Sequence, residues 1–159
     1  MARILVAYHS ETGHTARMAE LVARGVTEAG AEADLKKVQN VAVGELPGYD
    51  GIIVGSPTYY GLMSAPVKKL FDDSVKFHNK LTGKVGGAFT SSANIGGGNE
   101  TTILSILQAM LIHGMIVQGT AVGDHYGPVA INKPDARAEK QSVELGRRVA
   151  ELALKLAGK

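Results

Sequence analysis

Residues 8–15 read YHSETGHT. An apolar run, RILVA (3–7), comes before them, and a helix-patterned stretch, TARMAELVARGVTEAG (15–30), comes after. The octet carries four hydroxyls, one glycine and two histidines, with no lysine or arginine. A hydroxyl-rich turn between a first strand and a first helix suits an anion held by neutral donors. The start of a helix offers free N–H groups and a partial positive charge. Ser10, Thr12 and Thr15 each supply a hydroxyl, and Gly13 lets the backbone approach a ligand closely. Simple N-capping explains one such hydroxyl, but not three with a glycine among them.

Outward from this turn, buried strands alternate with helices. RILVAY (3–8) reads as a strand, and the helix over 15–30 places Met18, Val22, Val26 and Ala29 on one face, with Gly30 as its stop. AEADLKKV (31–38) is polar and one-sided, as an edge strand is. YDGIIVGS (49–56) is a second buried strand. APVKKLFDDSV (65–75) is a helix with Ser64 as N-cap and Pro66 in its first turn. KVGGAFTSS (84–92) is a third buried strand, and NETTILSILQAMLIHG (99–114) a helix ended by Gly114. MIVQGTAVG (115–123) reads as the last strand, DHYGPVAINKP (124–134) as a loop, and 135–158 as the closing helix.

This alternation predicts one α/β domain over residues 1–159, a three-layer α/β/α sandwich. Right-handed crossovers lead to a five-stranded parallel sheet in the order 2-1-3-4-5. Ligands of such sheets sit beyond the carboxyl ends of the strands, where the order reverses. Three segments reach that place: HSETGHT, SPTYYGLM and TSSANIGGGNET.

Composition narrows the chemistry. The 159 residues are 45% hydrophobic and 20% charged, as in ordinary globular proteins. A net charge of +2 points to neither nucleic acid nor membrane as a partner. The absence of cysteine rules out thiol nucleophiles, disulfides and zinc–thiolate sites, and fits a cytoplasmic protein. No secretory signal or membrane-length apolar run is expected. There is no G-x-x-x-x-G-K-[ST] phosphate loop, no G-x-G-x-x-G after the first strand, no G-x-S-x-G and no H-E-x-x-H. The acidic residues of a phospho-acceptor receiver domain are replaced by Ser10 and Ser56.

SETGHT resembles the flavin mononucleotide (FMN) phosphate loop of flavodoxins, S/T-x-T-G-x-T, and GSPTYYGLMSAPVKKLFDD (55–73) with FTSSANIGGGNETTILSILQAMLIHGMIV (89–117) resembles the WrbA-type NAD(P)H:quinone oxidoreductases of the same fold. The resemblance implies FMN as cofactor and a phosphate seat at Ser10, Glu11, Thr12, Gly13, His14 and Thr15. It implies that Pro57, Thr58, Tyr59, Tyr60 and Gly61 meet the flavin ring. One of the two tyrosines is expected to close the core instead. A peptide flip at Gly61 is the flavodoxin device for tuning the flavin. Ser91, Ser92, Ala93, Asn94, Ile95, Gly96 and Gly97 would lie along the ring, although a glycine run also reads as a plain flexible loop. His113 has two readings: a histidine favoured at a helix C-terminus, or, by the HGM motif, a group that meets flavin or substrate from a neighbouring subunit. His9, His78 and His125 carry no signal. The longer insertions that support the tetramer and the nicotinamide site of WrbA proteins are missing, which counts against both here and leaves a homo-oligomer open.

Two functions follow. In the first, an enzyme passes electrons from NAD(P)H through FMN to a quinone or similar small acceptor. In the second, a flavodoxin carries single electrons between protein partners. The isoelectric point of about 8.8 and the scarcity of acids in the three loops favour the first, because negative charge near the ring opposes its reduction.

Overall fold

The structure, a computed structural model, describes residues 1–158. Strand β1 (Arg3–Tyr8) leads to helix α1 (His14–Glu28) and strand β2 (Glu32–Lys37). After two short 3₁₀ turns come β3 (Gly51–Pro57), α2 (Ala65–Asp73), β4 (Val85–Ser92) and α3 (Asn99–Ile112). Two short strands, β5 (Ile116–Val117) and β6 (Val129–Ile131), precede α4 (Ala136–Leu156). All pairings are parallel, and the order is β2-β1-β3-β4-β5, as the alternation of elements predicts.

Residues along β1 alternate between two cores. Ile4 and Val6 join Met18, Val22 and Val26 of α1 and Leu145 and Val149 of α4. Leu5 and Ala7 join Val67 and Leu70 of α2 and Ile103, Ile106 and Met110 of α3. The period of two thus assigns α1 and α4 to one face and α2 and α3 to the other. Helices α1 and α4 touch through glycines. A Cβ on Gly25 would lie 2.0 Å from the Val143 carbonyl oxygen, and one on Gly146 would lie 2.0 Å from that of Val22.

The last strand departs from expectation. Only Ile116 and Val117 of the 115–123 stretch pair with β4, at Val85 and Gly86. The chain then leaves the sheet and returns as β6, inside the stretch expected to be a loop, to pair with Thr90–Ser92. The apolar alternation misleads here because polar side chains close the excursion locally. Thr120 Oγ1 donates to the Val122 carbonyl at 3.1 Å, and Asp124 Oδ2 accepts from Val129 N at 2.8 Å. Ser64 occupies the N-cap of α2, but its side chain makes no capping bond and is turned instead to His9. Gly30 and Gly114 follow their helices with φ of 87° and 75°, as expected of helix stops. Near the chain end, Arg147 links α4 to Glu28 of α1 at 2.8 Å, and Arg148 Nε donates to the Gln118 carbonyl. Lys159 lies outside the described residues.

Candidate functional site

The first loop presents an open helix start. Gly13, at φ 95°, is the N-cap of α1; no side chain caps the helix and no acid lies in its first turn. Ser10 Oγ accepts from Gly13 N at 3.1 Å, which shapes the turn while leaving the Ser10 proton free. Thr12 is exposed and makes no hydrogen bond among the described residues. Thr15 is buried, and its hydroxyl pairs with that of Ser91 at 2.8 Å. Of the three expected hydroxyls, one is therefore free, one shapes the turn and one ties the first loop to the third.

The second loop is a tight turn. Tyr59 and Leu62 exchange two backbone hydrogen bonds of 3.1 Å, with Tyr60 (φ 50°) and Gly61 (φ 74°) between them. Neither tyrosine closes the core, contrary to expectation. Tyr60 stands fully in solvent at the tip, and Tyr59 is 43% exposed at the cavity rim. Burial, then the Glu11 charge, raises the Tyr59 pKa above its ordinary value. Behind the turn, Thr58 Oγ1 lies 2.9 Å from Thr90 Oγ1.

The third loop leaves β4 at the buried Ser91 and Ser92. Ser92 Oγ donates to the Asn94 carbonyl at 3.0 Å, and Gly97 N donates to the same oxygen at 3.3 Å. Ala93, Asn94, Ile95, Gly96 and Gly97 are exposed.

These loops enclose a cavity of about 240 Å³. Its wall takes Glu11, Thr12, His14 and Thr15 from the first loop, Pro57, Thr58 and Tyr59 from the second, and Ser91, Ser92 and Ala93 from the third. Ser10 and Gly13 shape the first loop behind this wall, while Tyr60, Gly61, Asn94 and Gly97 stand outside it. Ile95 and Gly96 face a second, larger cavity of about 710 Å³, bounded also by Tyr126 and Arg137. His113 does not join the loops within one chain. It follows the last residue of α3, whose 14 residues carry it about 20 Å from the loop end of the helix. There its Nε2 lies 2.7 Å from Ser74 Oγ.

Three residues escape sequence reasoning. Asn132 lines the cavity with φ 57° and donates from Nδ2 to the Ala93 carbonyl at 3.3 Å. Its only signal is an asparagine in a loop, the residue type that tolerates a left-handed backbone. Gly98 (φ 95°) caps α3 and presses on Gly61: a Cβ on Gly98 would lie 2.5 Å from Gly61 Cα. His9 bridges the first two loops.

A family model described as flavodoxin matches residues 6–153. The chain belongs to the flavodoxin family. Relatives carry two kinds of name. A protein of Archaeoglobus fulgidus named NAD(P)H dehydrogenase (quinone) is 37% identical, over 98% of this chain and all of its own length. A flavodoxin of Aquifex aeolicus is 41% identical, over 95% of this chain and 86% of its own. Among solved structures, the WrbA-like flavodoxin of Agrobacterium tumefaciens superposes with a TM-score of 0.84 at 32% identity, covering 98% of this chain and 99% of that one. An archaeal flavodoxin gives 0.79 at 27%, covering 95% and 98%. The alignment with the Archaeoglobus protein runs over 190 positions, so at least 31 of them (190 less 159) have no residue in this flavodoxin-family chain. The Aquifex alignment runs over only 160.

Among the described residues, no cluster of histidine and acidic side chains is arranged to hold a metal. Among the described residues, no helix is long and apolar enough to cross a membrane either.

Proposed function

We propose that the cavity binds FMN and that the protein passes electrons from NAD(P)H to a quinone or similar small acceptor. The observation that carries the reading is the start of α1. Its first-turn N–H groups have no capping side chain, the first turn itself carries no acid, and the cavity wall adjoins it. An uncapped helix start suits an anionic group. His14, Thr15 and Ala16 would present backbone N–H groups to a phosphate, and the free Thr12 hydroxyl would add a donor. Tyr59 offers a half-exposed flat face for a ring. The exposed peptides of Ala93 to Gly97 offer donors and acceptors for its polar edge. These residues fit FMN, whose ring would supply the redox chemistry when bound, taking electrons from a nicotinamide and yielding them to an acceptor. The chain's own part is to seat the phosphate, orient the ring and leave one side open to solvent. Relatives named NAD(P)H dehydrogenase (quinone) and the slightly basic isoelectric point support this direction.

A second reading, a one-electron carrier between protein partners, is favoured by the short alignment with the Aquifex flavodoxin. The FMN-loaded protein, mixed with NADH or NADPH and a benzoquinone, separates the two. Sustained oxidation of either nicotinamide, dependent on quinone, supports the oxidoreductase. Failure of both nicotinamides to react overturns it in favour of the carrier.

A further inference from the structure

His9 is 5% exposed, and both ring nitrogens are engaged. Nδ1 lies 2.9 Å from Ser64 Oγ, and Nε2 lies 2.8 Å from Glu11 Oε1. Its backbone N–H donates to the Gly55 carbonyl at 3.1 Å, and Tyr59 meets its ring edge-on at 6.4 Å. Ser64 N in turn donates to Ser56 Oγ at 2.9 Å. Glu11, His9 and Ser64 are thus linked through their side chains, and the Ser64 backbone N–H ties them to Ser56.

This chain accepts either charge state of the imidazole. When neutral, Nε2–H donates to Glu11 while Nδ1 accepts from the Ser64 hydroxyl. When protonated, both nitrogens donate and the hydroxyl rotates. Glu11 and Tyr59 are the titratable groups against the ring. Glu11 also lines the cavity, where its charge repels an anionic ligand.

We propose that His9 is a positioning residue that holds Glu11 and, by taking up a proton, compensates its charge, so that the cavity binds a phosphate monoester more tightly as the pH falls. The inference rests on the FMN reading above. Linkage requires the reciprocal effect: ligand binding favours the protonated imidazole.

The test is the FMN dissociation constant, read by flavin fluorescence, for the wild type, His9→Gln and Glu11→Gln between about pH 5 and pH 8, the range in which histidines change charge. Ionisation of free FMN acts equally on all three proteins and cancels in their ratios. The His9→Gln to wild-type ratio should be roughly three- to fivefold larger at pH 5 than at pH 8, the size expected for one partly screened charge acting on a dianion. Glu11→Gln should bind FMN more tightly than the wild type, whereas loss of a merely structural contact would weaken binding. It carries the same test should His9→Gln not fold. A pH-independent His9→Gln ratio, or weaker binding by Glu11→Gln, overturns the inference and leaves the flavin reading intact. No FMN binding by the wild type at any pH overturns both.

Discussion

The hydroxyls of Thr15 and Ser91, 76 residues apart in sequence, meet at 2.8 Å inside the protein. They fasten the first turn of α1 to the end of β4, so the proposed phosphate seat and the third loop move as one piece. In Thr15→Val the shape is kept and the bond is lost. Ser91 is then left with a buried hydroxyl lacking this partner, which should cost about 1–3 kcal/mol. Urea unfolding should show a lower midpoint at unchanged slope. Because the tie shapes the cavity, FMN affinity should fall as well.

Gly98 tests the contact between the second and third loops. Its φ of 95° disfavours any side chain, and a Cβ would come within 2.5 Å of Gly61 Cα. Gly98→Ala should separate the loops and weaken FMN binding by about tenfold or more, the equivalent of about 1.4 kcal/mol. Equal affinity would show that the loops do not need this contact. Gly61→Ala places the new Cβ 3.1 Å from Thr101 Oγ1 at φ 74°. It should shift the reduction potential of bound flavin, which a redox titration reads.

Gly146 sets two known effects against each other. Alanine is favoured over glycine in a helix by about 1 kcal/mol. Here the added carbon would lie 2.0 Å from the Val22 carbonyl oxygen, a rigid backbone atom. Overpacking of this kind costs about 1–3 kcal/mol or more, so repulsion wins. Gly146→Ala should lower the melting temperature, and a rise would contradict the packing of α1 on α4.

His113 predicts a pH dependence of stability. Its Nδ1 is buried without a hydrogen-bond partner among the described residues, and Ser74 Oγ, which donates to the Phe71 carbonyl, occupies Nε2. Burial first, and the charge of His78 second, lower its pKa below the ordinary 6.5. The folded state therefore binds this proton less readily than the unfolded chain. The stability it supports is complete above pH 6.5, and is lost as the pH falls from there through the lowered folded-state value. Urea midpoints should drop as the pH falls below about 6.5, and His113→Gln should flatten that drop.

Sequence reasoning reached the layers, the strand order and the three loops because each rests on local signals. Short apolar runs mark β1, β3 and β4, and glycines stop α1 and α3. What it missed depends on pairing across space. The break between β5 and β6 follows from Thr120 and Asp124 bonding within their own loop, which hydropathy does not register. Asn132 enters the cavity only because β6 pairs with the end of β4. Both tyrosines of the second loop look equally able to close the core, yet the Tyr59–Leu62 turn lifts both outward. Ser64 has the spacing of a capping residue, but a histidine 55 positions earlier claims its hydroxyl.

The most direct test compares FMN with riboflavin, which lacks the phosphate, by calorimetric titration of the flavin-free protein. A phosphate seated on the first turn of α1 gains two or more charge-assisted hydrogen bonds, each worth about 1.5–3 kcal/mol. The account predicts one equivalent of FMN bound at least about 100-fold more tightly than riboflavin. Equal affinities, or no heat from either, would contradict it.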